Sequence, residues 1–116
     1  MKLEEGMYVR TEIFGRIGKY LRNDKECPFS YIVIVDDKNC EYTIPRETIK
    51  VASNNIIDLI EVGDYVNGYY VEDVKETFIN VATGSNYFQS PTIYEEQIKS
   101  IVTKEQFSQM EYKVGE

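Results

Sequence analysis

Two stretches of this chain say nearly the same thing: "LEEGMYV" (Leu3–Val9) and "IEVGDYV" (Ile60–Val66). At a constant offset of 57, Glu4/Glu61, Gly6/Gly63, Tyr8/Tyr65 and Val9/Val66 are identical. A second echo follows in each half. "IPRETIK" (Ile44–Lys50) meets "IYEEQIK" (Ile93–Lys99) at an offset of 49, with Ile, Glu, Ile and Lys coinciding. The echoes come in the same order, and the second half is shorter between them. A glycine ahead of an aromatic-and-valine strand starts a small barrel: glycine takes the tight turn, and alternate residues face inward. The second phrase closes such a barrel, with its two isoleucines inward and its charges outward. The expected fold is therefore mainly β: two tandem small SH3-like β-barrel units, 1–56 and 57–116, with short helical turns and a short C-terminal helix. Units of roughly 50 residues have thin cores, so close packing into one compact domain, or exchange of strands, is expected.

Strand patterns fill in both units. "FGRIGKYL" (14–21) reads as a strand bent or bulged at its two glycines. "YIVIV" (31–35) is apolar throughout, as in a strand covered on both faces. "DDKN" is the hairpin loop to "CEYTI" (40–44), where alternation groups Cys40, Tyr42 and Ile44, and Pro45 ends the strand. "RETIKV" is a turn and a short strand; Ser53 or Asn54 caps one helical turn ending at Leu59. In the second half, "DYVNGYYVEDV" is a hairpin turning at Asn67-Gly68, and "TFINVAT" is a strand. "GSN" is a turn before "YFQS", "QIKSIV" is an alternating strand, and "EYKV" is a final strand. "TKEQFSQM" is a helix in which Thr103 and Gln106 form a capping box and Phe107 and Met110 dock on the barrel.

Composition narrows the function. The 116 residues are 42% apolar and 28% charged, as in a soluble globular protein, and no segment approaches the length of a membrane helix. The charged N-terminus lacks the apolar run of a signal peptide, so a cytoplasmic protein is expected, with Cys27 and Cys40 as reduced, idle thiols. Histidine is absent, which removes the commonest general base and metal ligand. With no catalytic signature, phosphate loop or metal-ligand set, a non-enzyme without catalytic residues, metal or cofactor is expected.

Charge divides unevenly. Residues 1–58 carry 9 Lys+Arg against 10 Asp+Glu, and residues 59–116 carry 4 against 10. The acidic second half repels phosphate backbones. The first half holds one basic stretch, in which Arg10, Arg16, Lys19 and Arg22 are candidate nucleic-acid contacts. Their plain structural reading is a charge-balanced surface. In the second half Tyr69, Tyr70, Glu72, Asp73, Glu76, Glu95 and Glu96 are candidate partner-binding residues. Adjacent tyrosines on a strand point to opposite faces, so one of Tyr69 and Tyr70 lies at a surface, where a ring and a hydroxyl suit an interface. The carboxylates read as a solvated face rather than a cation site, because neighbours on a strand diverge. Tyr8 and Tyr65 read as core.

The stretches "MKLEEGMYVRT", "NIIDLIEVGDYVNGYYV" and "IKSIVTKEQFSQMEYKVGE" resemble small phage- and prophage-encoded proteins of low-GC Gram-positive bacteria, a family with no assigned chemistry. Residues 20–45 and 74–92 depart from that resemblance. It implies an accessory protein of the bacterial cytoplasm that binds and modulates or inhibits a host protein, such as a nucleic-acid-binding defence protein in the manner of an anti-CRISPR. The alternatives are nucleic-acid binding through the basic N-terminal unit, and sequestration of a small ligand between barrels or between the subunits of a homodimer.

Overall fold

A computed structural model describes residues 2–82 and 91–110. The expected turn "GSN", the segment "YFQS" after it with Tyr87 and Phe88, and the expected strand "EYKV" lie outside the described residues. Two compact units divide the chain, Met1–Leu59 and Ile60–Glu116. Each is built on one five-stranded antiparallel sheet.

The first unit contains β1 (Tyr8–Thr11), β2 (Ile17–Asn23), β3 (Tyr31–Val35), β4 (Glu41–Pro45) and β5 (Ile49–Ser53). A 3-10 turn, Arg46–Thr48, joins β4 to β5, and a second, Ile56–Leu59, follows β5. The sheet order is β4-β3-β2-β1-β5. The second unit contains β6 (Tyr65–Val66), β7 (Tyr69–Val74), β8 (Phe78–Ala82), β9 (Thr92–Tyr94) and β10 (Ile101–Val102). A 3-10 turn, Glu95–Gln97, joins β9 to β10, and α1 (Lys104–Met110) follows. Its order is β10-β6-β7-β8-β9, so first strand to first and last to last, the two sheets have the same order.

The agreement extends to single hydrogen bonds. Gly6 N–H donates to Tyr20 O at 2.9 Å, and Gly63 N–H to Val71 O at 3.0 Å. Met7 N–H closes a turn on Glu4 O, and Asp64 N–H does so on Glu61 O, at 3.0 and 3.1 Å. Gly6 and Gly63 hold φ of +92° and +99°, a conformation that a Cβ disfavours. The doubled phrase is thus a doubled turn that pins the start of one strand to the next.

The cores match as well. Val9, Tyr20, Ile32, Ile34 and Ile44 form the buried cluster of the first unit, with Leu3, Tyr42, Ile49 and Ala52 packed on it. Tyr20 lies opposite Ile34, and Ile32 opposite Ile44. In the second unit Val71 lies opposite Val81, and Ile79 opposite Ile93, all buried together with Val66. A bulge interrupts β2–β3 between Tyr20 and Arg22, and another interrupts β7–β8 between Val71 and Asp73.

Several local expectations are corrected. Phe14 and Gly15 precede β2 in a turn with φ of +56° and +62°; the strand starts at Ile17, and its bulge falls at Leu21 rather than at a glycine. Gly18 stays flat in the strand, where a Cβ would lie 3.0 Å from Val35 O. Cys40 precedes β4 and is exposed, so it does not join Tyr42 and Ile44; both cysteines are free. "QIKSIV" is a strand only at Ile101–Val102, because Gln97 belongs to the preceding 3-10 turn. Met110 is 68% exposed and does not dock.

The helix cap is as expected: Gln106 N–H donates to Thr103 Oγ1 at 3.2 Å, and Thr103 N–H to Gln106 Oε1 at 3.1 Å. Buried Asp64 adds a long-range tie. Its carboxylate accepts from Glu61 N–H at 2.7 Å and from Lys104 N–H, the first residue of α1, at 2.9 Å. Lys104 also pairs with Glu61 at 2.8 Å, and that carboxylate raises the lysine's pKa.

Two stability outcomes follow. Gly6→Ala and Gly63→Ala each lower the unfolding free energy by about 1–3 kcal/mol in urea titrations, because alanine is strained at both φ values. Asp64→Ala costs about 2–3 kcal/mol by leaving two backbone donors without their acceptor, while Asp64→Asn, which keeps an acceptor for one of the two donors because they use different carboxylate oxygens, costs less. Equal loss in the two Asp64 variants counts against the acceptor role.

Candidate functional site

The side chains opposite the core cluster form an outer face on each sheet. Tyr8 pairs with Lys19 across β1–β2, and Tyr65 with Tyr70 across β6–β7. An odd spacing of three would normally send Lys19 and Arg22, or Tyr70 and Asp73, to opposite faces. The two bulges absorb one residue each, so Arg22 comes to lie opposite Val33 and Asp73 opposite Asn80, back on the outer face. The basic and the tyrosine-acid candidates therefore occupy corresponding positions: Lys19 matches Tyr70, and Arg22 matches Asp73.

On the first unit the cations are already engaged. The Lys19 ammonium lies 5.3 Å from the centroid of the Tyr8 ring, and the Arg16 guanidinium 3.6 Å from that of Tyr42. Arg22 pairs with Glu41 at 3.1 Å, both side chains about half exposed. Arg10 is a correction. It is fully buried and donates to Leu59 O at 2.9 Å, so it has no face to offer a nucleic acid. Its charge secures the chain after β5 against β1.

On the second unit the outer face is aromatic. Tyr65 stacks on Phe107 of α1 with centroids 4.5 Å apart, and Tyr70 meets Tyr65 edge-on at 5.6 Å. Tyr8 and Tyr65, expected in the core, are half-buried here because the inward positions belong to Val9 and Val66. Farther along the sheet, Phe78 and Tyr94 sit on β8 and β9 with centroids 5.8 Å apart. Asp73, Asn80 and Thr92 form the row between, Thr92 donating to Asn80 Oδ1 at 3.1 Å. Tyr70, Tyr94 and Phe107 are all more than 40% exposed. Tyr69 is exposed as well, so both adjacent tyrosines reach the surface: Tyr70 on the face, Tyr69 beside the turn. That turn, Asn67-Gly68, has positive φ at both residues. Asn67 clamps it down, its side chain accepting from Lys99 and Ser100 N–H and donating to Gln97 O.

The acidic candidates divide. Asp73 is on the face, paired with Lys75 at 3.0 Å; that lysine, then the Val74 N–H, holds its pKa below the usual aspartate value. Glu72 is the exposed bulge residue. Glu76 in the β7–β8 turn and the segment Glu95–Glu96 meet at one end, where Glu95 N–H donates to Thr77 O at 3.2 Å. Among the described residues no group of three or more His, Cys, Asp or Glu is placed to hold a metal ion. No helix among them is long and apolar enough to cross a membrane.

No family model, curated protein or solved structure matches this chain. Phe78, Tyr94 and Phe107 were not singled out as site residues from sequence. The alternation of "FINVA" held a signal for Phe78, since it sets Phe78 and Asn80 opposite to Ile79 and Val81. Phe107 was expected to dock on the barrel and does stack on Tyr65; the sequence did not show that it would stay 44% exposed and so join the surface.

The face of the first unit has a pH-sensitive anchor at its edge. Asp36 Oδ1 accepts from Cys40 and Lys38 N–H, both at 2.9 Å. The Cys40 amide, then Lys38, the Tyr42 hydroxyl and the Arg16 charge hold its pKa below the ordinary 3.8. The stabilisation is complete above the unfolded value and is lost as pH falls through the lower folded one. Asp36→Asn is expected to flatten the stability-versus-pH curve of the first unit below about pH 4, followed by acid titration of β3–β4 amide resonances. An unchanged curve counts against the anchor.

Proposed function

We propose that this chain is a non-enzymatic binding protein: a phage or prophage accessory protein, acting in the cytoplasm of its bacterial host, that occupies a host protein through the outer face of its second unit. The observation that carries the reading is the Phe107–Tyr65–Tyr70 group, with rings stacked at 4.5 Å and edge-on at 5.6 Å on a sheet face left open to solvent. Rigid aromatic side chains supply contact area at low entropic cost. The acidic balance of residues 59–116, with 10 Asp+Glu against 4 Lys+Arg, favours a basic partner. A host nucleic-acid-binding defence protein, inhibited as by an anti-CRISPR, fits that charge.

We further read the two units as tandem SH3-like barrels. The shared strand order, the 3-10 turn between fourth and fifth strands and the paired glycine turns support this. Nucleic-acid binding through Arg16, Lys19 and Arg22 is the weaker reading, since Arg10 is buried and the chain's net charge of −7 repels phosphate.

The test is affinity capture from lysate of a low-GC Gram-positive host with the wild-type chain and with Tyr70→Ala/Tyr94→Ala. A host protein retained by the wild type and lost from the variant is the expected result. Retention that is equal in both excludes this face.

A further inference from the structure

The binding reading favours a basic partner without saying how its charge is received, and the outer face of the second unit specifies that. Asp73 stands in the row between two aromatic groups, Tyr65–Tyr70–Phe107 on one side and Phe78–Tyr94 on the other. A carboxylate flanked by aromatic side chains is suited to a cation carried on a flat or aliphatic stem: the charge meets the carboxylate, and the stem packs against the rings. The chain places one such cation there itself. Lys75 Nζ lies 3.0 Å from Asp73 Oδ2, with both side chains about half exposed. Ion pairs this exposed are worth at most about 1 kcal/mol, so a partner can displace the lysine.

We propose that this face docks a Lys/Arg-rich segment of a partner protein, one of whose cations takes the place of Lys75 on Asp73 between the two aromatic groups. Charge complementarity selects this occupant: the second half of the chain carries 10 Asp+Glu against 4 Lys+Arg. It also disfavours a second copy of this chain. Each copy carries a net charge of −7, so two copies repel. The proposal rests on the binding reading and adds the chemistry of the partner.

The experiment uses the full chain and a fluorescein-labelled peptide of alternating Arg and Gly, followed by anisotropy at low and physiological salt. Asp73→Asn and Tyr70→Ala are each expected to weaken binding about tenfold, in the range of a lost cation–π or charged contact at an interface. Lys75→Ala is expected to tighten it about threefold beyond the effect of removing a like charge elsewhere, for which Lys50→Ala is the control. Glu47→Gln carries the same charge change as Asp73→Asn at an exposed site of the first unit, and its binding is expected to stay within about twofold of wild type. If Asp73→Asn and Glu47→Gln weaken binding equally, the peptide reads only net charge and the proposal falls. Concentration-dependent mass in light scattering that Asp73→Asn abolishes assigns the face to a second copy and also overturns it. A captured host protein that the peptide fails to elute refutes the basic-segment proposal but leaves the binding reading standing. Peptide binding with no host protein captured does the reverse.

Discussion

Everything in each sheet depends on one backbone constraint: a glycine held at positive φ whose N–H is donated across to the second strand. Gly6 binds Tyr20 O, and Gly63 binds Val71 O. That bond places the first strand of each unit in register with the second, and the register decides which residues face inward. A slip of one residue would exchange Val9 for Tyr8, or Val66 for Tyr65, in the core. The turn thus separates an apolar inner face from a more polar and aromatic outer face.

The bulges at Leu21 and Glu72 act on that outer face in the same way. Each takes up one residue and returns the next to the side it would otherwise have left. Lys19 with Arg22 in one unit, and Tyr70 with Asp73 in the other, are brought together by that device. The same backbone therefore displays a cationic pair on one unit and an aromatic-acidic pair on the other. Asp64 adds what the first unit lacks. The corresponding position there is Met7, whose sulfur accepts from Glu4 N–H at 3.2 Å, whereas the carboxylate of Asp64 also reaches Lys104 N–H. A helix start can be fastened to the turn only in the second unit, and with it the Phe107 ring that stacks on Tyr65.

Much of the fold is legible in the sequence. The doubled phrase announced two glycine turns, Asn67-Gly68 announced a hairpin, and Thr103 with Gln106 announced a capped helix, because each depends on a few neighbouring residues. The errors were also local. Phe14 and Gly15 read as strand, but they form a left-handed turn; Gln97 read as strand, but it ends a 3-10 turn whose place is set by hydrogen bonds to other loops. The match of the cores was hidden from the sequence. Tyr20 corresponds to Val71 and Ile34 to Val81, yet the connecting loops differ in length, so no single offset aligns them.

The site was legible as a list of residue types and not as a surface. Sequence by itself determined the charge imbalance, the wealth of tyrosine, the absence of histidine and the two turn-forming glycines, since these follow from composition and short-range chemistry. Only the tertiary structure decided that Arg10 is buried while Lys19 is exposed, that Tyr70 and Asp73 share a face while Glu76 and Glu95 gather at another end, and that Phe107 completes an aromatic group with Tyr65. The reason is physical: facing and burial depend on bulges and cross-strand register, which are fixed by hydrogen bonds between residues far apart along the chain.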